Sequence, residues 1–348
     1  MKAKSVTSHD VAKLAGVSRS TVSLVLNGSN AVSLSEETKE RVREAARILG
    51  YRPNSAALML RKGRTDTIGL VITETRSIRV DAYIPILHYA IADVLKEAGY
   101  SLLLETFERK KGVNPYTDLV FSHRIDGLMV LSPHVEDKDL HALLDSGFPV
   151  VQIGSIGHPE ELSVTTCTSD STTEAVRHIV DLGHRNIGSV PFSPSGFSAT
   201  DSRLEELRQE LLKSGIMLDA DCIEFGDFSA ESGYNATLRL MKRQPRLTAI
   251  FAGNDTIALG VIGALNSLGL SVPGDVSVVG YDDLPFSGFI SPPLTTVKMN
   301  ADHQGRLAAD LMVKRLKGET IPQKRLVLPS QVVLRDSTAK ARMQASDL

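Results

Sequence analysis

Residues 7–26 contain two short helical segments joined by an abrupt turn, and this feature constrains the fold more than any other. Thr7 and Asp10 have the spacing of a helix-capping pair. The first helix then shows one apolar face, formed by Val11, Leu14 and Ala15. Gly16 permits a tight turn, and Ser18 is a good N-cap for the second helix. The pattern predicts a helix-turn-helix, whose second helix enters the major groove of DNA.

The second helix is polar on its outer side, as a recognition helix must be. Val22 and Val25 face a small core, which a third helix over residues 36–48, capped by Ser35, closes. The outward residues of the second helix are Arg19, Ser20, Thr21, Ser23 and Leu24. The first two lie on the first helical turn, where a recognition helix contacts base edges.

Charge is distributed unevenly along the 348 residues, although the net charge is only −2. Residues 1–64 carry 12 Lys and Arg against 5 Asp and Glu, a balance of +7, and the remainder carries 27 against 36, a balance of −9. A basic head on an acidic body is typical of a DNA-binding protein with an unrelated second module. We therefore expect double-stranded DNA as a partner of the head.

The features that the sequence lacks narrow the class of protein further. Cys167 and Cys222 are too few for a disulfide framework and lack metal-ligand spacing, so we expect both to be buried packing residues and no bound metal. No signal peptide opens the chain, and no apolar run approaches the roughly 18 residues of a membrane span. We expect a cytoplasmic, nucleoid-associated protein with no membrane partner and no cofactor.

Residues 51–66 have the composition of a hinge and a linker. Pro53 either breaks a helix or begins one. The apolar segment 55–60 is too short to be a stable helix alone, and a basic, glycine-containing run follows it at 61–64. The hinge is therefore expected to be helical only when another element packs against it.

From residue 68 onward, apolar strand-like runs alternate with helical stretches. The predicted strands are 68–72, 101–105, 127–131, 150–154, 186–190, 223–225, 249–252 and 276–279. The predicted helices are 84–98, 172–182, 202–214, 231–242 and 256–268. This alternation indicates parallel sheets with helices on both faces. Eight strands are too many for one comfortable open sheet of this class, so we expect two similar lobes with a ligand between them.

Several spaced motifs resemble those of the LacI/GalR family of transcriptional regulators, over about residues 5–337. The head carries D-V-A-x-x-A-G-V-S-x-x-T-V-S at 10–23 and Y-x-P-N-x-x-A-x-x-L at 51–60. Further matches are L-G-H-R-N-I at 182–187, A-G-N-D at 252–255, V-V-G-Y-D-D at 278–283 and P-P-L-T-T-V at 292–297. Chance agreement at so many places is negligible.

The resemblance implies an all-α three-helix helix-turn-helix head and a doubly wound α/β body of two lobes, like the periplasmic binding proteins. The implied divisions are a head at 1–50, a hinge helix and linker at 51–66, an effector-binding and dimerisation core at 67–337 and a polar tail at 338–348. Crossovers near 165, 294 and 325 would give the first lobe residues 67–165 and 295–325, and the second lobe residues 166–294 and 326–337. The tail has no leucine heptad, so we expect a homodimer rather than a tetramer.

The roles of residues in the head follow from the matched positions. The resemblance places Arg19 and Ser20 as base readers, and Arg19 contacts either guanine in a bidentate manner or a phosphate. Leu60 matches a hinge leucine that enters the minor groove, with mutual packing of two hinges as the alternative. Leu24 stands where many members have arginine, so an apolar contact to a thymine methyl would replace a polar one. The other expected DNA contacts, to phosphates for all but Ala57, are Thr7, Ser18, Thr21, Ser23, Asn27, Asn54 and Ala57.

The resemblance also places an effector site between the lobes. Arg203, Asn254 and Asp282 are expected to be its polar ligands, because a guanidinium donates two hydrogen bonds to vicinal hydroxyls and a carboxylate accepts two. Each has a structural alternative. Arg203 is predicted to open a helix, where a basic charge is unhelpful, which favours a functional role. Asn254 could cap the following helix instead, and Asp282 could cap a turn.

Aromatic and basic residues complete the expected effector site. Phe228 would stack on a sugar face, although a buried phenyl ring needs no ligand. Tyr83, with Arg76 and Arg79, would line the mouth on the first lobe. The two arginines either contact an anionic group of the effector or are solvated surface.

These expectations give a sequence-specific DNA-binding transcriptional regulator, a repressor that a sugar-like effector releases. The alternative is a corepressor-requiring repressor or an activator of the same family, and a remoter one is a sugar-binding protein without a regulatory role. An enzyme is not expected, because no G-x-G-x-x-G follows the first strand and residues 154–157 lack the nucleophile-elbow spacing.

Overall fold

The computed structural model of the chain describes residues 6–26, 34–52, 59, 63–73, 77–106, 116–195 and 197–342. The chain divides into two units, which we name the head (Met1–Thr65) and the body (Asp66–Leu348). Each unit has a buried apolar core of its own.

The head is built on helices α1 (Ser8–Ala15), α2 (Arg19–Leu26) and α3 (Glu36–Leu49). Its buried core is formed by Val11, Ala12, Ala15, Val22, Val42, Ala45 and Ala46. The sequence predicts Leu14 on the apolar face of α1, but its side chain faces solvent and the residue is 52% exposed. Ala12 takes that place, because the side of α1 that packs against α3 runs through residues 11, 12 and 15.

Local hydrogen bonds and a glycine define the turn between α1 and α2. The Asp10 carboxylate accepts hydrogen bonds from the Thr7 backbone N–H at 2.9 Å and from its hydroxyl at 2.7 Å. Gly16 ends α1 with a φ of 66°, in the left-handed region that favours glycine. The Ser18 hydroxyl oxygen accepts a hydrogen bond from the N–H of Thr21 at 3.1 Å. The sequence therefore specifies this turn within a few residues.

The first lobe of the body is a parallel sheet with helices on both faces. Its strands are β1 (Thr67–Ile72), β2 (Ser101–Thr106), β3 (Gly127–Leu131), β4 (Val150–Ile153), β5 (Leu162–Cys167) and β10 (Arg325–Pro329). They lie in the order β10-β5-β4-β3-β1-β2. The helices are α4 (Ser77–Val80), α5 (Tyr83–Glu97), α6 (Thr117–Val120), α7 (Lys138–Asp145) and α12 (Ala301–Lys317). One apolar cluster packs α5 and α12 on one side of the sheet, and another packs α6 and α7.

The second lobe has the same architecture with one antiparallel edge strand. Its strands are β6 (Ile187–Val190), β7 (Ala249–Ala252), β8 (Ser277–Asp282), β9 (Thr295–Lys298) and β11 (Gln331–Val333). They lie in the order β11-β9-β8-β7-β6, and β11 runs antiparallel to β9. The helices are α8 (Ser169–Asp181), α9 (Ser198–Lys213), α10 (Ala230–Arg243) and α11 (Asp255–Ser267).

The chain crosses between the lobes later than the sequence suggested at two of the three places. β9 continues the sheet of the second lobe, with Thr295 paired to Val279, so the crossing lies after Lys298 rather than near 294. β10 pairs with β5 in the first lobe, so the last crossing lies near Ser330 rather than near 325. Both strands are short edge or near-edge segments, whose lobe is decided by their pairing partners and not by their own composition.

Two local expectations in the body are wrong. Residues 223–225 form no strand: a 3₁₀ turn spans Ala220–Cys222, and Ile223 makes a single bridge to Ser189. The guanidinium of Arg243 donates a hydrogen bond to the Ile223 carbonyl at 3.2 Å. Cys222 is only half-buried and Cys167 is exposed, so neither is a fully buried packing residue.

The beginning of the expected polar tail is attached to the second lobe. His184 is buried, and its Nε2 donates to the Ala339 carbonyl at 2.9 Å while its Nδ1 lies 2.9 Å from the Thr248 hydroxyl. The N–H of Ala341 donates to the Leu182 carbonyl at 2.8 Å. Residues 338–342 are therefore part of this lobe rather than of a free tail.

Burial lowers the pKa of His184 below its ordinary value of 6.5. Because the folded state disfavours the protonated ring, stability is full above the unfolded pKa and is lost as the pH falls toward the folded pKa. We expect His184→Gln to lower the free energy of unfolding at pH 7.5 by about 1–3 kcal/mol, through weakened hydrogen bonds. We also expect its thermal midpoint to fall less than that of the wild type between pH 7 and pH 5. Parallel pH profiles for the two proteins would contradict the role of His184.

Candidate functional sites: the head and the cleft between the lobes

The exposed first turn of α2 carries the two predicted base readers. Arg19 and Ser20 are both exposed, and no carboxylate within the described residues pairs with Arg19. Three of the four glutamates of α3 are engaged on that helix, where Glu36, Glu40 and Glu44 pair with Lys39, Arg43 and Arg47. The outer face of α2 therefore offers a cation and hydroxyls without a nearby acidic residue of its own, which suits a polyanion.

The other predicted DNA contacts fall into three groups. Ser18 and Thr21 share a hydroxyl–hydroxyl contact of 2.9 Å and face solvent wholly or in part, as does Thr7 at the start of α1. Ser23 and Leu24 are half-buried, so Leu24 offers only part of its side chain outward. The remaining ones lie outside the described residues: Asn27, Asn54, Ala57 and Leu60. The DNA-contacting roles of all of these residues stay predictions.

A cavity of about 360 Å³ lies between the two lobes of the body. Residues from the carboxyl ends of parallel strands line it on both sides, which is where doubly wound sheets bind ligands. The first lobe contributes Thr73, Ser132 and Gly154, which follow β1, β3 and β4. The second contributes residues at or after the ends of β6, β7 and β8: Phe192, Asn254 and Asp282. All five predicted effector residues line this cavity: Tyr83, Arg203, Phe228, Asn254 and Asp282.

Arg203 is held in place on the second lobe by four groups. Its Nη1 donates to the Gly253 carbonyl at 2.8 Å, and its Nη2 lies 3.5 Å from Asp282 Oδ1. The guanidinium carbon lies 4.4 Å from the ring centre of Tyr281 and 5.0 Å from that of Phe192. α9 begins at residue 198, so Arg203 lies in the second turn and does not open the helix as predicted. The helix dipole therefore says little about its role.

Asn254 combines the two roles that the sequence left open. Its Oδ1 caps α11 by accepting the N–H of Ile257 at 2.7 Å. Asn254 also lines the cavity, and its Nδ2 is buried and has no hydrogen-bond partner. Such an unpaired buried donor costs about 1–3 kcal/mol unless a ligand or water satisfies it. The cap occupies one end of the amide and leaves the other for a ligand.

Backbone strain marks two residues of the cavity wall. Phe228 has a φ of 72° and Asp282 a φ of 105°, conformations that cost a non-glycine residue about 1–3 kcal/mol each. The Phe228 ring is buried and contacts Phe192 and Phe197 edge-on, with ring centres 5.4 and 5.5 Å apart. This aromatic cluster gives the second lobe an apolar wall. Burial raises the pKa of the Asp282 carboxyl, and the Arg203 guanidinium opposes that shift.

On the first lobe, Tyr83 lies at the start of α5 and its hydroxyl donates to Gln304 of α12. Burial raises the pKa of this phenol, which keeps it protonated as a donor. Arg79 is exposed and does not line the cavity, and Arg76 lies outside the described residues. Sequence reasoning missed other lining residues, among them Asp81, Thr166, Phe192 and Phe197. The sequence could have indicated Phe192 as a lining residue, because it lies two residues after a predicted strand, where doubly wound folds bind ligands.

No helix in the described ranges is long and apolar enough to cross a membrane. No cluster of three or more histidine, cysteine, aspartate or glutamate side chains in the same ranges is arranged to hold a metal ion.

A helix-turn-helix head and a two-lobed body with a polar cleft define a DNA-binding protein that senses a ligand. The family model of bacterial regulatory proteins of the lacI family matches residues 7–54, and the periplasmic binding protein-like domain matches residues 176–338. The HTH-type transcriptional regulator CelR of Thermobifida fusca is 35% identical over 332 residues, covering 94% of this chain and 96% of the relative. The chain belongs to the LacI family and is a DNA-binding transcriptional regulator.

Solved structures of the same family match nearly the whole chain. A complex of the regulator CelR with cellobiose is 34% identical and covers 95% of this chain and 99% of its own, with a TM-score of 0.70. A lac repressor dimer bound to its operator and an anti-inducer is 30% identical and covers 97% of this chain and 100% of its own, with a TM-score of 0.84. The predicted fold class, a helix-turn-helix head with a periplasmic-binding-protein-like body, is confirmed.

Proposed function

We propose that the protein is a homodimeric repressor that an uncharged, sugar-like effector releases from its operator. The observation that carries the proposal is that Asn254 lines the cleft with Arg203 and Asp282, and that its buried Nδ2 has no hydrogen-bond partner. On the opposite lobe Thr166 also lines the cleft, and its buried hydroxyl also lacks a partner. A ligand with several hydroxyl groups would satisfy both atoms at once.

The relatives support the ligand class and the assembly. CelR has been solved with cellobiose, and the lac repressor has been solved as a dimer on its operator. A cavity of about 360 Å³ is within the range that holds small molecules. Its described lining contains no histidine, cysteine or lysine, which favours binding over catalysis. A cytoplasmic, nucleoid-associated location and a role without enzymatic activity belong to the same proposal.

The substitution Asn254→Ser tests the ligand role apart from the helix cap. Serine is as good an N-cap as asparagine, but it lacks the amide donor. We expect sugar affinity to fall about 10- to 100-fold, because one or two hydrogen bonds in a buried site are lost. Isothermal titration with cellobiose and a panel of neutral mono- and disaccharides measures this loss. The matched control is Asn235→Ser at an exposed position of α10, which should bind like the wild type. Equal affinities for Asn254→Ser and the wild type would refute the assignment.

The direction of the response separates the two regulatory alternatives. If the sugar is an inducer, fluorescence anisotropy should show operator affinity falling about 5- to 150-fold when it is added. If the sugar raises operator affinity, the cleft assignment stands and the protein is a corepressor-requiring repressor.

A further inference from the structure

The charged side chains that line the cavity between the lobes are few and mostly acidic. Only three charged side chains are among its described lining residues: Asp81, Arg203 and Asp282. Arg203 is already engaged by the Gly253 carbonyl, by Asp282 and by two aromatic rings. Arg203, the one cation among the described lining residues, is therefore partly neutralised before any ligand arrives, and two carboxyl groups line the same cavity.

Asp81 is the charged residue that the first lobe brings to the cleft. It precedes α5, and its Oδ1 accepts the N–H of Tyr83 at 3.0 Å. Its Oδ2 accepts no hydrogen bond from the described residues, and no described lysine or arginine forms an ion pair with it. The carboxylate thus keeps an open acceptor on the side of the cleft opposite Arg203, Asn254 and Asp282.

The electrostatic environment of Asp81 is set across the cleft. Burial and the Asp282 carboxylate raise the pKa of Asp81 to about 7, and Arg203 and the Tyr83 N–H oppose the shift. Asp81 and Asp282 line the same partly dry cavity, where two ionised carboxylates repel each other. An added anion would face the same repulsion from both lobes, whereas hydroxyl groups could donate to both carboxylates.

We propose that Asp81 selects the effector by charge: it accepts hydrogen bonds from hydroxyl groups, admits uncharged polyols and excludes sugar phosphates and sugar acids. This inference rests on the proposed function, that the cleft binds the effector. Of the two arginines that the sequence offered for an anionic effector, Arg79 does not line the cavity, and Arg76 lies outside the described residues. An effector that contacts Asp81 and Asn254 together also links the two lobes.

The alternative role for Asp81 is purely structural, because its Oδ1 holds the start of α5. Asparagine keeps an oxygen for the Tyr83 N–H but removes the charge and replaces the second acceptor oxygen with an amide donor, so Asp81→Asn separates the two roles. If the role of Asp81 were purely structural, Asp81→Asn would not alter the ratio of affinities for a neutral sugar and its phosphate. That ratio is therefore the decisive measurement.

The experiment compares full-length wild type and Asp81→Asn at pH 8, with neutral sugars and their 6-phosphates as matched probes. Isothermal titration begins with two pairs: cellobiose with cellobiose 6-phosphate, and glucose with glucose 6-phosphate. The neutral member of each pair belongs to the panel of neutral sugars named above. We expect the wild type to bind the neutral member of the pair at least about 30-fold more tightly, because like charges oppose the phosphate. In Asp81→Asn the affinity for the neutral member should fall about 10-fold and the ratio should shrink. Asp118→Asn, at an exposed position of the same lobe, is the matched control and should keep the wild-type ratio.

The possible outcomes separate this inference from the proposed function. Equal or tighter binding of the phosphate by the wild type overturns the charge selection and leaves the cleft as the effector site. An unchanged ratio in Asp81→Asn overturns the role of Asp81 alone. If no sugar of the panel binds the wild type, both proposals fail. A melting curve of Asp81→Asn verifies that the variant is folded, and Asp81→Ser provides a second uncharged variant if it is not.

Discussion

A protein that lacks residues 1–65 is expected to lose operator binding by at least about 1,000-fold while keeping sugar binding. Specific DNA-binding proteins owe both affinity and sequence reading to their basic recognition module, and the head carries the +7 charge balance within residues 1–64. The body has its own buried clusters and should fold alone. Anisotropy with operator DNA and titration with sugar measure the two activities separately.

The same experiment includes an internal check on the recognition helix. Arg19→Ala in the full chain should weaken binding to the operator by about 1–3 kcal/mol, if Arg19 contacts a base. Arg41→Ala on α3 is the matched control, because that arginine is also exposed but lies outside α2. Operator binding retained by the truncated protein would refute the assignment of the head.

The three helices that the structure describes in the head could be predicted because their signals are local. Thr7, Asp10, Gly16 and Ser18 act on neighbours within three residues, so their chemistry can be recognised without knowing the fold. The one error, the orientation of Leu14, concerned which edge of an apolar stripe packs against another helix. Which edge of α1 is buried depends on the position of α3, and the sequence of α1 alone does not specify it.

The body could be predicted as a class but not in its connections. The buried central strands β1, β3 and β7 are continuous apolar runs and were found. The edge strand β10 has a mostly exposed pattern, and its lobe depends on pairing with β5, which lies about 160 residues away in the chain. Long-range pairing of this kind leaves little trace in local composition.

The effector site shows the same division between local and long-range information. Asn254 and Asp282 follow or end apolar strands, a position that predicts a ligand site in a doubly wound fold. Asp81 follows a short helix, and its relevance arises only because the opposite lobe places Asp282 near it. A single sequence carries no signal for such a pairing across a cleft.

A buried network beside the site explains how its strained wall is held. The Asp255 carboxylate accepts hydrogen bonds from the Leu284 N–H at 2.8 Å and from the hydroxyls of Ser287 and Thr296 at 2.6 Å each. These bonds tie α11 to β9 and to the segment between β8 and β9, which begins directly after Asp282. The structure around Asp282 is therefore fixed from the side that does not face the ligand, and the cleft is preorganised for binding.

Substitution of Arg203 by alanine is expected to have the largest effect on the cleft. The guanidinium supports Gly253, stacks on Tyr281 and pairs with Asp282, so its loss removes a ligand contact and leaves a buried carboxylate without its cation. We expect sugar affinity to fall at least about 100-fold and stability to fall by about 3–5 kcal/mol. Arg208→Ala on the same helix is the matched control.

The double substitution Arg203→Met with Asp282→Asn distinguishes the two causes of this loss. It removes both charges and keeps similar volumes, so most of the stability should return, because an uncompensated buried charge is no longer present. Sugar affinity should stay low, because neither the donor pair nor the carboxylate acceptor is restored. Denaturant unfolding and titration on the same samples measure both quantities. Recovery of sugar affinity together with stability would show that the pair only supports the wall, and the ligand would then be held by Asn254 and the first lobe.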